Sequence, residues 1–111
     1  MKLTLVVQAQ NLVDAAEVTA RQADEVTRAA QVKLDQASPS GHGRSHPAWY
    51  HLDLVDASLR RAKAYAGAVE GAVAAHNYPE AKRRLSNVRS EAEGVQFNAE
   101  KVVEAAQKSQ E

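Results

Sequence analysis

Apolar and small residues recur along this chain at alternating steps of four and three, the spacing that returns to one face of an α-helix. In the first third the series is Leu5, Ala9, Leu12, Ala16, Thr19, Ala23, Val26 and Ala30, closing on Ala37 after Lys33. A second row, Val6, Val13, Ala20, Thr27 and Leu34, runs beside it. Residues 3–37 contain neither Gly nor Pro, so nothing stops a helix within them. They predict a first helix over about 3–37, with an apolar face wide enough to meet two neighbours.

The segment 38–47 breaks the pattern with two Pro, two Gly and three Ser, and is expected to be a loop. Pro47 suits the first turn of the next helix, with Ser45 or His46 as its cap. The seam then resumes as Ala48, Leu52, Val55, Leu59, Ala62, Ala66, Val69, Val73 and His76, predicting a second helix over about 48–76. Gly67 and Gly71 each cost that helix about 1 kcal/mol relative to Ala. The row of small residues around them, Ala64, Ala68, Gly71 and Ala75, suggests close packing as the compensation. Asn77 can cap a third helix, Pro79 fits its first turn, and Glu80 stands at capping-box spacing. The third seam is Ala81, Leu85, Val88, Ala92, Val95, Ala99, Val102 and Ala106, in a helix over about 78–108.

At about 1.5 Å per residue such helices are about 45–50 Å long. The short second connection makes the last two antiparallel, and the longer first one lets the first helix lie along both. The fold class expected is all-α, a single domain over 1–111. Its architecture is an elongated antiparallel three-helix bundle with heptad-spaced, Ala-rich seams and a left-handed supercoil. Acid-first pairs four apart (Glu17–Arg21, Asp24–Arg28, Asp56–Arg60, Glu80–Arg84, Glu104–Lys108) would dress its solvated faces.

Composition narrows the chemistry. The 14 Lys and Arg balance 14 Asp and Glu, which argues against a polybasic nucleic-acid arm or a charge-driven membrane binder. With no Cys there are no disulfides, thiolate metal sites or thiol nucleophiles. The N-terminal apolar run is short and is followed by Asp14 and Glu17, so neither a signal peptide nor a membrane span is expected, and the expected location is cytoplasmic.

Catalytic and cofactor motifs are missing from the sequence: there is no GxSxG elbow, phosphate-binding Gly loop, HExxH, CxxCH or Glu-x-x-His. No enzyme activity and no cofactor are expected. His42, His46 and His51 are the candidate metal ligands, but their spacing across a Gly-Pro loop matches no fixed coordination geometry. Arg60, Arg61 and Lys63, and Lys82, Arg83, Arg84 and Arg89, form two basic clusters. Acidic residues follow the second at once, so a solvated face is expected rather than nucleic-acid binding.

The Ala-rich seams bury little surface per residue, which points to help from association. Val18 and Val32 lie off both rows of the first helix, and Phe97, the one Phe, lies off the third seam. With Val7 they make up the expected interface set; Trp49, one residue after the seam residue Ala48, is expected to cover the end of the core and, as the alternative, joins that set as an anchor. The run from Ala74 to Ala81 resembles the helix–turn–helix junction of tetratricopeptide hairpins, without that family's 34-residue repeat. The expected function is a non-enzymatic protein-binding or assembly module, packing against its own copy or another protein. The alternatives are a small inhibitor of a macromolecular enzyme and, third, a metal-binding module built on the His loop.

Overall fold

The computed structural model describes residues 2–37 and 43–108. They form three helices: α1 (Lys2–Ala37), α2 (Ala48–Ala74) and α3 (Tyr78–Lys108). The rod they build measures 58 × 20 × 15 Å. Ion pairs and ring contacts fix the directions. Gln31 near the end of α1 meets Trp49 at the start of α2, whereas Glu17, halfway back, meets Lys63. Arg61 of α2 pairs with Glu91 of α3, and Arg84, earlier in α3, stacks on Tyr65, later in α2. Each consecutive pair is therefore antiparallel.

The seams form the core, in two clusters along the rod. Near the first connection Ala16, Ala20 and Ala23 pack with Ala48, Trp49, Leu52 and Val55 of α2 and with Val95, Ala99 and Val102 of α3. Towards the other end Ala9 and Val13 meet Ala62, Ala66, Val69, Leu85 and Val88. Alanines on α1 let its backbone settle closely against valines of the α2–α3 hairpin, so small side chains and β-branched ones divide the contact. Thr27 is fully buried in the second row of α1, its hydroxyl donating to the carbonyl of Ala23 at 2.8 Å. That bond removes the cost of placing a hydroxyl in the core.

The caps follow local chemistry. His46 Nδ1 accepts the backbone N–H of Ala48 at 3.0 Å, and the His46 carbonyl accepts from Trp49, with Pro47 in the first turn between them. Asn77 Oδ1 accepts the N–H of Glu80 at 3.3 Å and so starts α3. The Glu80 carboxylate does not complete the capping box. It turns to Arg83 and Arg84, while the Asn77 N–H is already donated to the Ala72 carbonyl.

Two expectations are corrected. The second helix stops at Ala74, because His76 adopts φ +59 and the chain closes on itself through His76 N–H to Val73 and Asn77 N–H to Ala72. These reverse bonds satisfy the last carbonyls and end the helix two residues early, with His76 exposed and off the seam. Gly67 and Gly71 are not points of close packing: a Cβ at either would meet nothing within 4 Å. The close approach is at Gly94 of α3, where a Cβ would lie 3.1 Å from Ser58 Oγ of α2.

Candidate functional site

The residues expected at an interface separate into exposed and buried sets. Val7, Val18 and Val32 are 53%, 48% and 54% exposed on α1. At about 100° per residue they fall within about 40° of one another, a single stripe along the side of α1 that faces away from the core. Leu3, also exposed, extends the stripe at its start. Asp14 and Glu25, both exposed, lie between the valines, so the stripe alternates apolar anchors with charge. Phe97 stands on α3, exposed, with Lys101 Nζ 5.3 Å from its ring centroid.

Trp49 is 8% exposed and belongs to the core cluster at the first connection. Its Nε1–H donates to Gln31 Oε1 at 3.0 Å. The guanidinium groups of Arg44 and Arg28 lie 4.4 and 5.6 Å from its ring centroid. The indole covers the end of the bundle core and is spent on the fold. Its apolar area closes the cluster, while its one polar atom finds a buried acceptor.

That acceptor, Gln31, is the residue sequence reasoning missed. It is 6% exposed, and its amide engages four groups. Oε1 accepts from Trp49 Nε1–H and from the His46 backbone N–H (2.8 Å), while Nε2 donates to Asp35 (2.8 Å) and Ser45 Oγ (3.2 Å). A glutamine amide offers two donor hydrogens and two lone pairs, and here each is used. One signal was available: Gln31 lies four residues after Thr27 and three before Leu34, on the edge of the second apolar row.

Among the described residues the histidines are not gathered into one centre. His46 is 2% exposed with Nδ1 engaged by Ala48 N–H, and burial holds its pKa below the ordinary imidazole value. His51 packs edge-on against Tyr50, and His76 Nδ1 lies 3.1 Å from the Tyr78 hydroxyl. His42 lies outside the described residues. Among the described residues no three His, Asp or Glu side chains cluster closely enough to hold a metal.

Much of the basic surface is neutralised within the chain. Arg61 pairs with Glu91 at 3.0 Å, Arg84 with Glu80 at 2.7 Å, Arg83 with Glu80, and Lys63 with Glu17 at 3.4 Å across to α1. The grooves are open hollows. One of about 470 Å³ runs between α1 and α3 beside Val26 and Val103, and another of about 390 Å³ lies beside Pro47 and His51. Among the described residues no helix is long and apolar enough to cross a membrane. Comparison with known proteins gives no match, whether to family models, curated proteins or solved structures.

Proposed function

We propose that this chain is a non-enzymatic protein-binding or assembly module, which uses the outer side of α1 to pack against its own copy or another chain. The observation that supports this reading is the α1 stripe. Three valines are half-exposed at nearly one angular position on α1, on the side away from the seam residues that feed the bundle. Single exposed apolar side chains need no explanation, but an aligned set over most of a long helix does. The mechanism is helix-face packing, in which Val7, Val18 and Val32 act as anchors and the Asp14 and Glu25 carboxylates supply a polar rim.

The test is solution mass by light scattering over a wide dilution range, for the native chain and for Val18→Asp with Val32→Asp. Both positions face solvent, so the variant should keep its far-ultraviolet helical signal. The native chain should show a concentration-dependent species heavier than the monomer, and the variant should lose it. A heavier species that survives both substitutions places assembly elsewhere. A monomer at every concentration removes the second copy and leaves only a foreign chain for the stripe.

A further inference from the structure

Resting on the assembly reading of the α1 stripe, we propose that its occupant is a second copy of this chain. The copies lie antiparallel along α1, with a two-fold axis passing beside Val18 and with Asp14 of each facing the partner's Arg21.

Both copies bring the same stripe, so the pairing must be self-complementary. Val7 and Ala29 each stand eleven residues from Val18, and both are exposed. Eleven residues make nearly three whole turns, which keeps both within about 20° of the direction of Val18. An axis at Val18 therefore lays Val18 on the partner's Val18. It also sets Val7 level with the partner's Ala29, about 16 Å along the helix from the axis. Near the ends Leu3 and the partner's Val32, both exposed, come within about 1.5 Å of one level. Each apolar residue of the stripe thus meets another.

Charge selects the same register. A two-fold axis across antiparallel helices sets each edge of the stripe beside the same edge of the partner. Asp14 and Arg21, both exposed, share one edge, within about 20° of each other around α1. Asp14 precedes Val18 and Arg21 follows it, so each comes within about 1.5 Å of the other's level across the axis, and symmetry makes the pair twice. Among the described residues Arg21 forms no ion pair, and Asp14 takes a neutral donor, Gln10 Nε2 at 2.8 Å. Glu25, at mid-stripe, comes level with the partner's Asn11 and stands farther along from the partner's Asp14 than Arg21 does.

The other pairings oppose like charges or uncover the valines. Sliding one copy by three residues sets Val7 level with the partner's Val32, but it also levels Asp14 with Glu25 and Val18 with Arg21. A parallel, in-register pairing brings Asp14 to Asp14 and Glu25 to Glu25 near the middle of the stripe, where like charges oppose association. Slides of eleven residues or more carry Val7 or Val32 past the end of the partner's α1. The stripe holds both halves of each contact, as a two-fold interface requires.

The chain has no Cys, so a single introduced thiol reports alone. At a concentration where light scattering shows the heavier species, Val18→Cys should form a disulfide-linked dimer under mild oxidation. Val7→Cys and Val32→Cys should each fail to link to themselves, since the axis holds these positions more than about 30 Å from their own copies. A mixture of Val7→Cys and Ala29→Cys chains should link. Self-linkage of Val7→Cys or Val32→Cys, or none of Val18→Cys, overturns the antiparallel pairing while the assembly reading stands. Charge reversal tests the register. Asp14→Arg should weaken association about tenfold by sedimentation equilibrium, and adding Arg21→Asp should restore it to within about threefold. Tighter association of Asp14→Arg, which the three-residue slide would give, overturns the register. The far-ultraviolet helical signal of each variant should equal that of the native chain. A native chain that is monomeric at every concentration overturns the second copy as occupant and leaves the stripe to a foreign chain.

Discussion

Trp49 donates its indole N–H to the side-chain oxygen of Gln31 at 3.0 Å, joining the first turn of α2 to the last turns of α1. The same oxygen receives the His46 backbone N–H, so one amide holds both the connection and the largest aromatic side chain of the core. Replacing Gln31 by Ala strands two buried donors, each costing about 1–3 kcal/mol when unsatisfied. Gln31→Ala should therefore lower unfolding stability by about 3 kcal/mol in urea denaturation, far more than a surface Gln would. A loss below about 0.5 kcal/mol would mean water replaces the amide at no cost, and that Gln31 is not the tie described.

Gly67 and Gly71 face open space, and Gly94 faces Ser58. Each of the first two should give about 0.5–1 kcal/mol of added stability on substitution by Ala, because helix propensity is the term that changes. At Gly94 the new methyl would press on a buried Ser58 whose Oγ accepts from Arg61 at 3.3 Å. Gly94→Ala should fall short of the other two by at least about 0.5 kcal/mol. Equal gains at all three positions, by thermal melts, would show that the helices part freely at Ser58.

His76 carries the positive φ that closes α2, a conformation costing a side-chain-bearing residue about 1 kcal/mol. His76→Gly should raise stability by a similar amount, less whatever the contact with the Tyr78 hydroxyl contributes. A destabilised His76→Gly would show that the Tyr78 contact outweighs the backbone strain.

Asp56 lies where its carboxyl pKa is raised, first by burial and then by the Asp24 and Asp53 carboxylates, against the partial opposition of Arg60 and Arg44. A raised folded-state value means the charged form is disfavoured in the fold, so the penalty is present at neutral pH and vanishes once the group is protonated in both states. Asp56→Asn should accordingly stabilise the protein at pH 7, by about a few tenths of a kcal/mol given the exposure of the side chain and salt screening. That gain should fade below about pH 4. This dependence is opposite in sign to that of His46, whose contribution is lost on acidification. Urea titrations of the native chain and of Asp56→Asn at pH 7 and pH 4 measure the gain and its loss.

The heptad rows determined the three helices, their order and most of the core. A period near 3.6 is set within each segment, and every α3 seam residue except the half-buried Ala92 is buried. The caps were equally local: His46 and Asn77 act on amides two and three residues away. The acid-first pairs were legible only in part. Asp24–Arg28 and Glu80–Arg84 form within their helices, whereas Glu17 reaches across to Lys63 and Glu104 turns to Lys101.

Of the candidate surface, the off-seam positions of Val7, Val18, Val32 and Phe97 could be read from spacing; Trp49 was expected to cover the end of the core with an interface as the alternative, and only packing chose the first. A residue one step from a seam is buried or exposed according to how the neighbouring helix is rotated and shifted, and no single segment encodes that. The same holds for Gln31 and for the contrast between Gly94 and the two glycines of α2. The partner of a side chain across a bundle depends on the joint register of two helices, which is settled only when all three pack. Sequence periodicity thus decided which face of each helix turns inward. Tertiary packing decided which polar groups that face would have to satisfy.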